Sequence, residues 1–152
     1  MAKALWQITD YLKEKGFESE YDRDSRTLFV QHSTPAGDLQ SRYYYDDEME
    51  VLSCQCIYLE NLAKARYAPL CELVNRCNEQ LGFGAFMILD EEDLVFEINN
   101  LIDDKTPLSE SVLEKLVMIP SEAMAEHLPL FQIVANENVT PLAALDELWE
   151  KE

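Results

Sequence analysis

The stretch LQSRYYYDDEMEVLSCQCIYL, residues 39–59, decides the fold of this chain. It holds two runs rich in aromatic and β-branched residues, residues 39–45 and 49–59, which are separated by an acidic turn at residues 46–48. Two such runs around a short polar turn predict a pair of antiparallel strands. Because successive side chains of a strand point to opposite faces, the three consecutive tyrosines of the first run cannot all lie in a one-sided core.

Further strand candidates flank this pair on both sides. Upstream, residues 17–21 and 27–32 complete a series of four strands joined by short turns, which favours an antiparallel meander. Downstream, residues 83–89 and 94–101 surround an acidic turn at residues 90–93. This second pair is predicted to form a hairpin.

Two segments outside the strands have the spacing of amphipathic helices. Apolar residues recur every three or four positions over residues 4–15, and Gly16 follows as a C-terminal cap. A second helix is predicted to begin near Ala68, to hold Pro69 in its first turn and to end at Gly82.

The last third of the chain is also predicted to be helical. Either Thr106 or Ser109 caps the start of a helix, and Pro120 is expected to break or kink it. Pro129 is expected to end or bend the segment that restarts after this break. A short, acidic helix over residues 140–150 completes the chain.

The predicted order of elements is α-β-β-β-β-α-β-β-α(-α). Runs of strands followed by helices indicate an α+β fold with an antiparallel sheet packed against helices. The chain has 152 residues, which is close to the usual size of one domain. We expect a single domain over residues 1–152, with a core at residues 4–135 and a short C-terminal helix at residues 140–150.

The charge is strongly acidic, with 12 basic residues against 30 acidic ones and a net charge of -18. Nucleic acids and anionic membrane surfaces carry the same sign and are bound through Lys and Arg, so neither is expected as a partner. No apolar run reaches the length of a membrane span, and the N-terminus does not resemble a signal peptide. We therefore expect a cytoplasmic protein with reduced cysteines.

The four cysteines are the strongest candidates for chemistry. Cys54 and Cys56 share one face of a strand, whereas Cys71 and Cys77 lie on different faces of the second helix. This spacing does not match a structural zinc site, and free cysteines are commonly small buried apolar residues. The two histidines lack a catalytic motif. We expect no enzyme activity, no cofactor and no metal.

The segment LCELVNRCN, residues 70–78, resembles the N-R-x-N pattern of the YbjN-like family, the bacterial sensory transduction regulators. The strand with Phe83, the acidic turn, the strand after it and the sequence Leu108-Ser109-Glu110 follow the same family pattern, and the likeness spans about residues 4–135. The resemblance implies a fold related to type III secretion chaperones. Those chaperones are small, acidic, usually dimeric and non-enzymatic, and they hold partner segments in extended form.

The sequence therefore predicts a protein-binding adaptor or chaperone-like regulator, which we expect to be a homodimer. A partner segment would add to a sheet edge or lie on an apolar face. The residues predicted to contact the partner are Tyr43, Tyr45, Val51 and Ile57. Trp149, in the last helix, docks either onto its own domain or onto a partner.

Two alternatives stay open from the sequence. One is a sensor domain that binds a small apolar ligand between helix and sheet. The other is an enzyme that uses Cys54 or Cys56 in a cleft beside a cation, with a lowered thiol pKa.

Overall fold

Six strands form one antiparallel sheet in this computed structural model, which describes residues 1–150 and the side chains of residues 1–148. The strands are β1 (Glu20–Asp22), β2 (Thr27–Thr34), β3 (Gly37–Asp46), β4 (Val51–Tyr58), β5 (Ala85–Leu89) and β6 (Asp93–Leu101). Their order across the sheet is β1-β2-β3-β4-β6-β5. The predicted meander of β1 to β4 and the predicted β5–β6 hairpin are both confirmed.

Four α-helices accompany the sheet within residues 1–150. They are α1 (Lys3–Glu14), α2 (Tyr67–Gln80), α3 (Glu110–Asn136) and α4 (Pro141–Glu150), and a 3-10 turn (Lys64–Arg66) precedes α2. The α+β class and the predicted order of elements are confirmed. No helix in the described part of the chain is both long enough and apolar enough to cross a membrane.

All the helices that bury side chains against the sheet lie on one of its faces, which we call the covered face. Two apolar clusters fill this interface. One groups α1 and the first part of α3 with β2, β3 and β4, and it includes Leu5, Leu28 and Val117. The other groups α2, α4 and the rest of α3 with β4, β5 and β6, and it includes Phe86 and Phe131.

The N-terminus of α1 is capped by a residue about 100 positions away in the sequence. The side chain of Asp104 accepts hydrogen bonds from the backbone N–H groups of Lys3 at 2.9 Å and Ala4 at 2.8 Å. The residue before the helix, Ala2, has no side chain that could cap it. The contact ties α1 to the segment that leads from β6 to α3, and local sequence gives no sign of it.

Helix α3 is continuous over 27 residues, so Pro120 does not break it and Pro129 does not end it, and of the predicted alternatives only a kink or bend at these prolines stays a prediction. Each proline removes one backbone hydrogen bond and destabilises a helix interior by about 3 kcal/mol. A stripe of buried side chains runs along this helix from Leu113 to Ala135 and stabilises it against the sheet. The start of the helix follows the sequence, because Ser109 Oγ accepts a hydrogen bond from the N–H of Val112.

The last helix begins at Pro141, as the sequence predicts, and Thr140 Oγ1 accepts a hydrogen bond from the N–H of Ala143. Ala144 and Leu145 are buried in the cluster that contains Phe131. The side chain of Trp149 lies outside the described residues, so its predicted docking stays a prediction.

Helix α2 seals part of the sheet edge through one side chain of the N-R-x-N segment. Asn78 donates from Nδ2 to the carbonyl oxygen of Phe86 at 3.0 Å and accepts at Oδ1 from the N–H of Phe86 at 2.8 Å. Phe86 lies in the outermost strand β5. The amide of Asn78 therefore replaces a neighbouring strand at that position.

We predict that Asn78→Ala lowers the free energy of unfolding by about 1–3 kcal/mol, because it leaves both backbone groups of Phe86 without a partner. Urea denaturation followed by circular dichroism measures this change. The matched control is Asn75→Ala on the exposed side of the same helix, which should change stability by less than about 0.5 kcal/mol. Equal stability of the two variants would contradict the role assigned to Asn78.

Candidate functional site

Two of the four residues predicted to contact a partner lie on the covered face. Tyr43 is 1% exposed and Tyr45 is 7% exposed, and both pack in the cluster with α1. Tyr45 donates a hydrogen bond to the carbonyl oxygen of Ile102 at 2.9 Å, which holds the chain as it leaves β6. Burial raises the pKa of Tyr43. The tyrosine between them, Tyr44, is on the opposite face, as strand alternation requires.

The other two predicted residues, Val51 and Ile57, lie on the face of the sheet that no helix covers, which we call the uncovered face. The register of β4 with β6 pairs Val51 with Leu101 and Ile57 with Val95. Val51 is half-buried, whereas Ile57 is 8% exposed because neighbouring strands flank it on both sides.

One row of apolar side chains crosses β4, β6 and β5 on the uncovered face, and further apolar side chains lie at the ends of these strands. Ile57, Val95 and Met87 form a row across these three strands. Leu101, at the end of β6, is 84% exposed, and Leu89, at the end of β5, is 44% exposed. Exposed apolar side chains on the same face as a shielded apolar row are typical of a surface that contacts another protein.

Polar side chains on the same face are linked to one another across the strands. Glu97 accepts hydrogen bonds from the amides of Gln55 and Asn99, and the Oγ of Ser53 donates to the Oδ1 of Asn99 at 2.6 Å. These bonds hold the side chains between β4 and β6 in fixed positions. The centre of the uncovered face is therefore ordered by contacts within the chain itself.

An arginine–aromatic pair marks the β2–β3 side of the uncovered face. The guanidinium of Arg42 lies 5.6 Å from the ring centre of Phe29, and its Nε donates to the Oε1 of Gln40 at 2.9 Å. A surface cavity of about 320 Å³ lies here, lined in part by Phe29, Arg42 and Tyr44. It gives the face a shallow recess beside its flat apolar part.

Carboxylates surround the end of the sheet where β3 turns into β4 and β6 ends, and we call them the acidic end. They are Asp46, Asp47, Glu48, Glu50, Asp103 and Asp104. The N–H of Ile102 bonds to the carbonyl oxygen of Glu50 at 3.0 Å, which brings the two acidic segments together. Burial, and then Asp104, Glu50, Asp103 and Asp47, raise the pKa of the Tyr45 hydroxyl in their midst.

The cysteines are placed as the sequence predicts for core residues. Cys54, Cys56 and Cys77 are buried, and Cys71 is half-buried. Burial raises the pKa of Cys56 to about 12 and that of Cys77 to about 11, and it also raises the pKa of Cys54. Thiols with raised pKa values stay protonated at neutral pH, which is the opposite of what a nucleophilic cysteine needs.

The two histidines are engaged with structural partners. His32 Nε2 lies 2.9 Å from Ser41 Oγ, and burial lowers the pKa of His32. His127 Nδ1 lies 2.8 Å from the carbonyl oxygen of Ala123. Within the described residues, no three His, Cys, Asp or Glu side chains are grouped so that they could hold a metal ion.

The space between helices and sheet, where a sensor domain would hold a small ligand, is filled with aromatic rings. Phe86 lies 4.9 Å from Phe96 and 5.3 Å from Phe131 between ring centres. All three side chains are at most 2% exposed. The helix–sheet interface is a packed core at this position.

The sequence predicted the strands of the uncovered face but not which face the helices would leave open. The alternation of Val30 with Gln31, and of Arg42 with Tyr43, shows that one face of β2 and β3 is more polar than the other. In β4 both faces carry apolar residues, so the pattern there does not identify the exposed side. Leu101 lies beyond the start of β5, which is at Ala85 opposite Glu97, two residues later than the sequence predicts.

Comparison with known proteins agrees with this architecture. The profile of the YbjN family, described as “Putative bacterial sensory transduction regulator”, matches residues 5–132. The crystal structure of YbjN from E. coli is similar to this chain, with a TM-score of 0.59 and 10% sequence identity over 82% of this chain and 87% of that one. At this identity the likeness shows the fold alone. No curated protein matches the sequence.

We predict that only Cys71 reacts with 5,5′-dithiobis(2-nitrobenzoate) in the folded protein at pH 8, because the other three thiols are buried. The absorbance of the released thiolate follows the reaction. Cys71→Ser should abolish the fast phase, and urea should release the three slow thiols. Reaction of Cys54 or Cys56 in the folded protein at the rate of free cysteine would contradict this assignment.

Proposed function

The chain belongs to the YbjN family of bacterial regulators, and from that premise we propose that it is a non-enzymatic regulator that binds a basic segment of another protein. The observation that carries the proposal is the uncovered face of the sheet. An antiparallel sheet whose second face is solvated usually carries polar side chains on that face. Here the second face carries, beside its polar side chains, the apolar row Ile57, Val95 and Met87 and the exposed side chain of Leu101.

The charge of the protein supports a basic partner. The net charge is -18, and the acidic end lies at the rim of the uncovered face, beside the pair Val51 and Leu101. Opposite charges steer two proteins into contact, and like charges disfavour the wrong partners. A partner segment with both apolar residues and an excess of Lys and Arg fits this surface in both respects.

The four residues predicted from the sequence take two different roles in this proposal. Val51 and Ile57 belong to the uncovered face and contribute to the contact itself. Tyr43 and Tyr45 are enclosed between sheet and helix, and a partner could reach them only if α1 moved. They support the strands from the covered side.

Binding fits the described residues better than catalysis does. The most nucleophilic candidates of the sequence, Cys54 and Cys56, are buried with raised pKa values. The side chains that do converge on the uncovered face, Gln55, Glu97 and Asn99, are bonded to one another. Such a network rigidifies a contact surface, whereas a general base has to be free to accept a proton from a substrate.

The proposal predicts a site-specific contact in cells. The photo-cross-linking residue p-benzoylphenylalanine is placed at Met87 or Phe29 on the uncovered face, and cells that produce the protein are irradiated. We expect a cross-linked product of one discrete mass from at least one of these positions. Mass spectrometry of that product should identify a partner segment with an excess of Lys and Arg, and raising the salt concentration should weaken the interaction.

The control position is Leu142, which is 48% exposed on α4, away from the uncovered face. It should give no product of the same mass. The proposal would be overturned if Leu142 gave the same products, or if the cross-linked segment were acidic. It would also be overturned if neither Met87 nor Phe29 gave a product.

A further inference from the structure

The sheet has a step at the edge of β6. The partner strand β5 pairs with β6 only from Ala85 opposite Glu97 to Leu89 opposite Asp93. Strand β6 continues to Leu101 and stays paired with β4 on its other side over this extension. Residues 98–101 of β6 therefore have a strand neighbour on one side only, and we call this free edge the notch.

The contacts of Asn78 show which backbone groups point into the notch. Phe86 directs its N–H and C=O away from β6, towards Asn78. In an antiparallel strand, the N–H and C=O of successive residues point to opposite sides. The N–H and C=O of Ala85 therefore point towards Glu97 in β6, and the N–H and C=O of Glu97 point towards β5. The same alternation directs the N–H and C=O of Asn99 and Leu101 to the side of β6 on which β5 lies. Strand β5 does not extend as far as these two residues.

The opposite side of β6 agrees with this assignment. The N–H of Ile102 bonds to the carbonyl oxygen of Glu50, so even-numbered residues of this segment face β4. The outward N–H and C=O of Asn99 and Leu101 have no hydrogen-bond partner among residues 1–150. The notch thus offers two donors and two acceptors at the spacing of an antiparallel or parallel neighbour.

The start of β5, beside the notch, has a defined backbone geometry. Gly84 has a φ of +67°, and a Cβ atom there would clash with the carbonyl oxygen of Glu97. Only glycine allows the chain to approach β6 this closely and then turn away. Phe83, just before this glycine, is 70% exposed where the notch begins. The notch is therefore bounded along its length by β6 and, next to Glu97, by the turn at Gly84.

The other edges of the sheet are less open. The outer edge of β5 is bonded to Asn78 at Phe86, and β1 is only three residues long. Residues 30–34 of β2 extend beyond β1, but the ring of Phe17 packs against His32 there, with 5.5 Å between the ring centres. Short or covered edges resist the addition of a strand. The notch combines unpaired backbone groups, the exposed side chain of Leu101 and the acidic end, which begins two residues later at Asp103.

We propose that the notch takes a short extended segment of the partner protein, rich in Lys and Arg, as an added strand beside residues 98–101. The inference rests on the proposed function and specifies where and how that partner binds. Backbone hydrogen bonds to Asn99 and Leu101 hold the segment, and its basic side chains lie by the acidic end. A second copy of this chain is disfavoured at the notch, because it would bring the same carboxylates face to face.

The test is a selection of random ten-residue peptides, displayed on phage, against the full chain. We expect enriched peptides in which apolar residues alternate with Lys or Arg. In Leu101→Pro the ring removes an outward N–H without removing a bond to β4, so affinity for these peptides should fall at least about tenfold. In Leu101→Ala the N–H is kept, and the loss should be smaller.

Thermal unfolding of both variants checks that the fold is intact. Hydrogen exchange of the wild-type protein gives a second measurement, since a bound peptide should slow exchange of the Asn99 and Leu101 amides. The inference would be overturned if the enriched peptides bound Leu101→Pro with the same affinity as the wild type, or if they were acidic. It would also be overturned if they left both amides unprotected. No enrichment at all would also overturn it.

Two further outcomes separate the notch from the proposed function. If light scattering finds a dimer of the chain alone and Leu101→Pro dissociates it, a second copy fills the notch and the basic segment does not. If the partner cross-links to Met87 or Phe29 while Leu101→Pro binds it unchanged, the notch proposal fails and the proposed function stands.

Discussion

The packing of α3 across the covered face is the constraint on which the rest of the structure depends. Within residues 1–150 it is the one α-helix with buried side chains in both apolar clusters, through Leu116 in the first and Phe131 in the second. Its 27 residues span about 40 Å, which is more than the width of six strands at about 4.8 Å each. Because α3 joins both halves on one side, α1, α2 and α4 pack beside it. The opposite face stays free.

The packing of α3 against both apolar clusters explains why two prolines are tolerated inside the helix. Each fully buried apolar side chain stabilises the fold by about 1.5–3 kcal/mol, and several of them lie on each side of Pro120 and Pro129. A break at Pro120 would separate Val117 from Met124 and uncover part of one cluster. Tertiary packing therefore outweighs the local preference, and the penalty of about 3 kcal/mol for each proline is offset along the whole helix.

The sequence predicted the helices and strands because strand alternation and helical spacing are local patterns. It did not predict contacts between residues that are far apart in the sequence. Asn78 was visible as part of the N-R-x-N segment, but its bonds to Phe86 depend on how α2 lies along β5. The cap that Asp104 places on α1 joins residues 100 positions apart. Alternation required Tyr44 to face away from Tyr43 and Tyr45, yet only the packing of α1 shows which face is buried. Of the four residues that the sequence predicts for a partner contact, Val51 and Ile57 lie on the candidate surface, and Tyr43 and Tyr45 do not.

The arrangement of the uncovered face also allows the protein to be stable with nothing bound to that face. Val95, at the centre of the apolar row, is 1% exposed because Ile57 and Met87 flank it in register. The linked side chains of Gln55, Glu97 and Asn99 cover the strands beside it. Most of the accessible apolar area is thus at the margins, at Leu89 and Leu101. Obligate interfaces are usually more apolar at their centre than this one. A face with a polar, ordered centre and apolar margins is suited to the reversible contact that we propose for it.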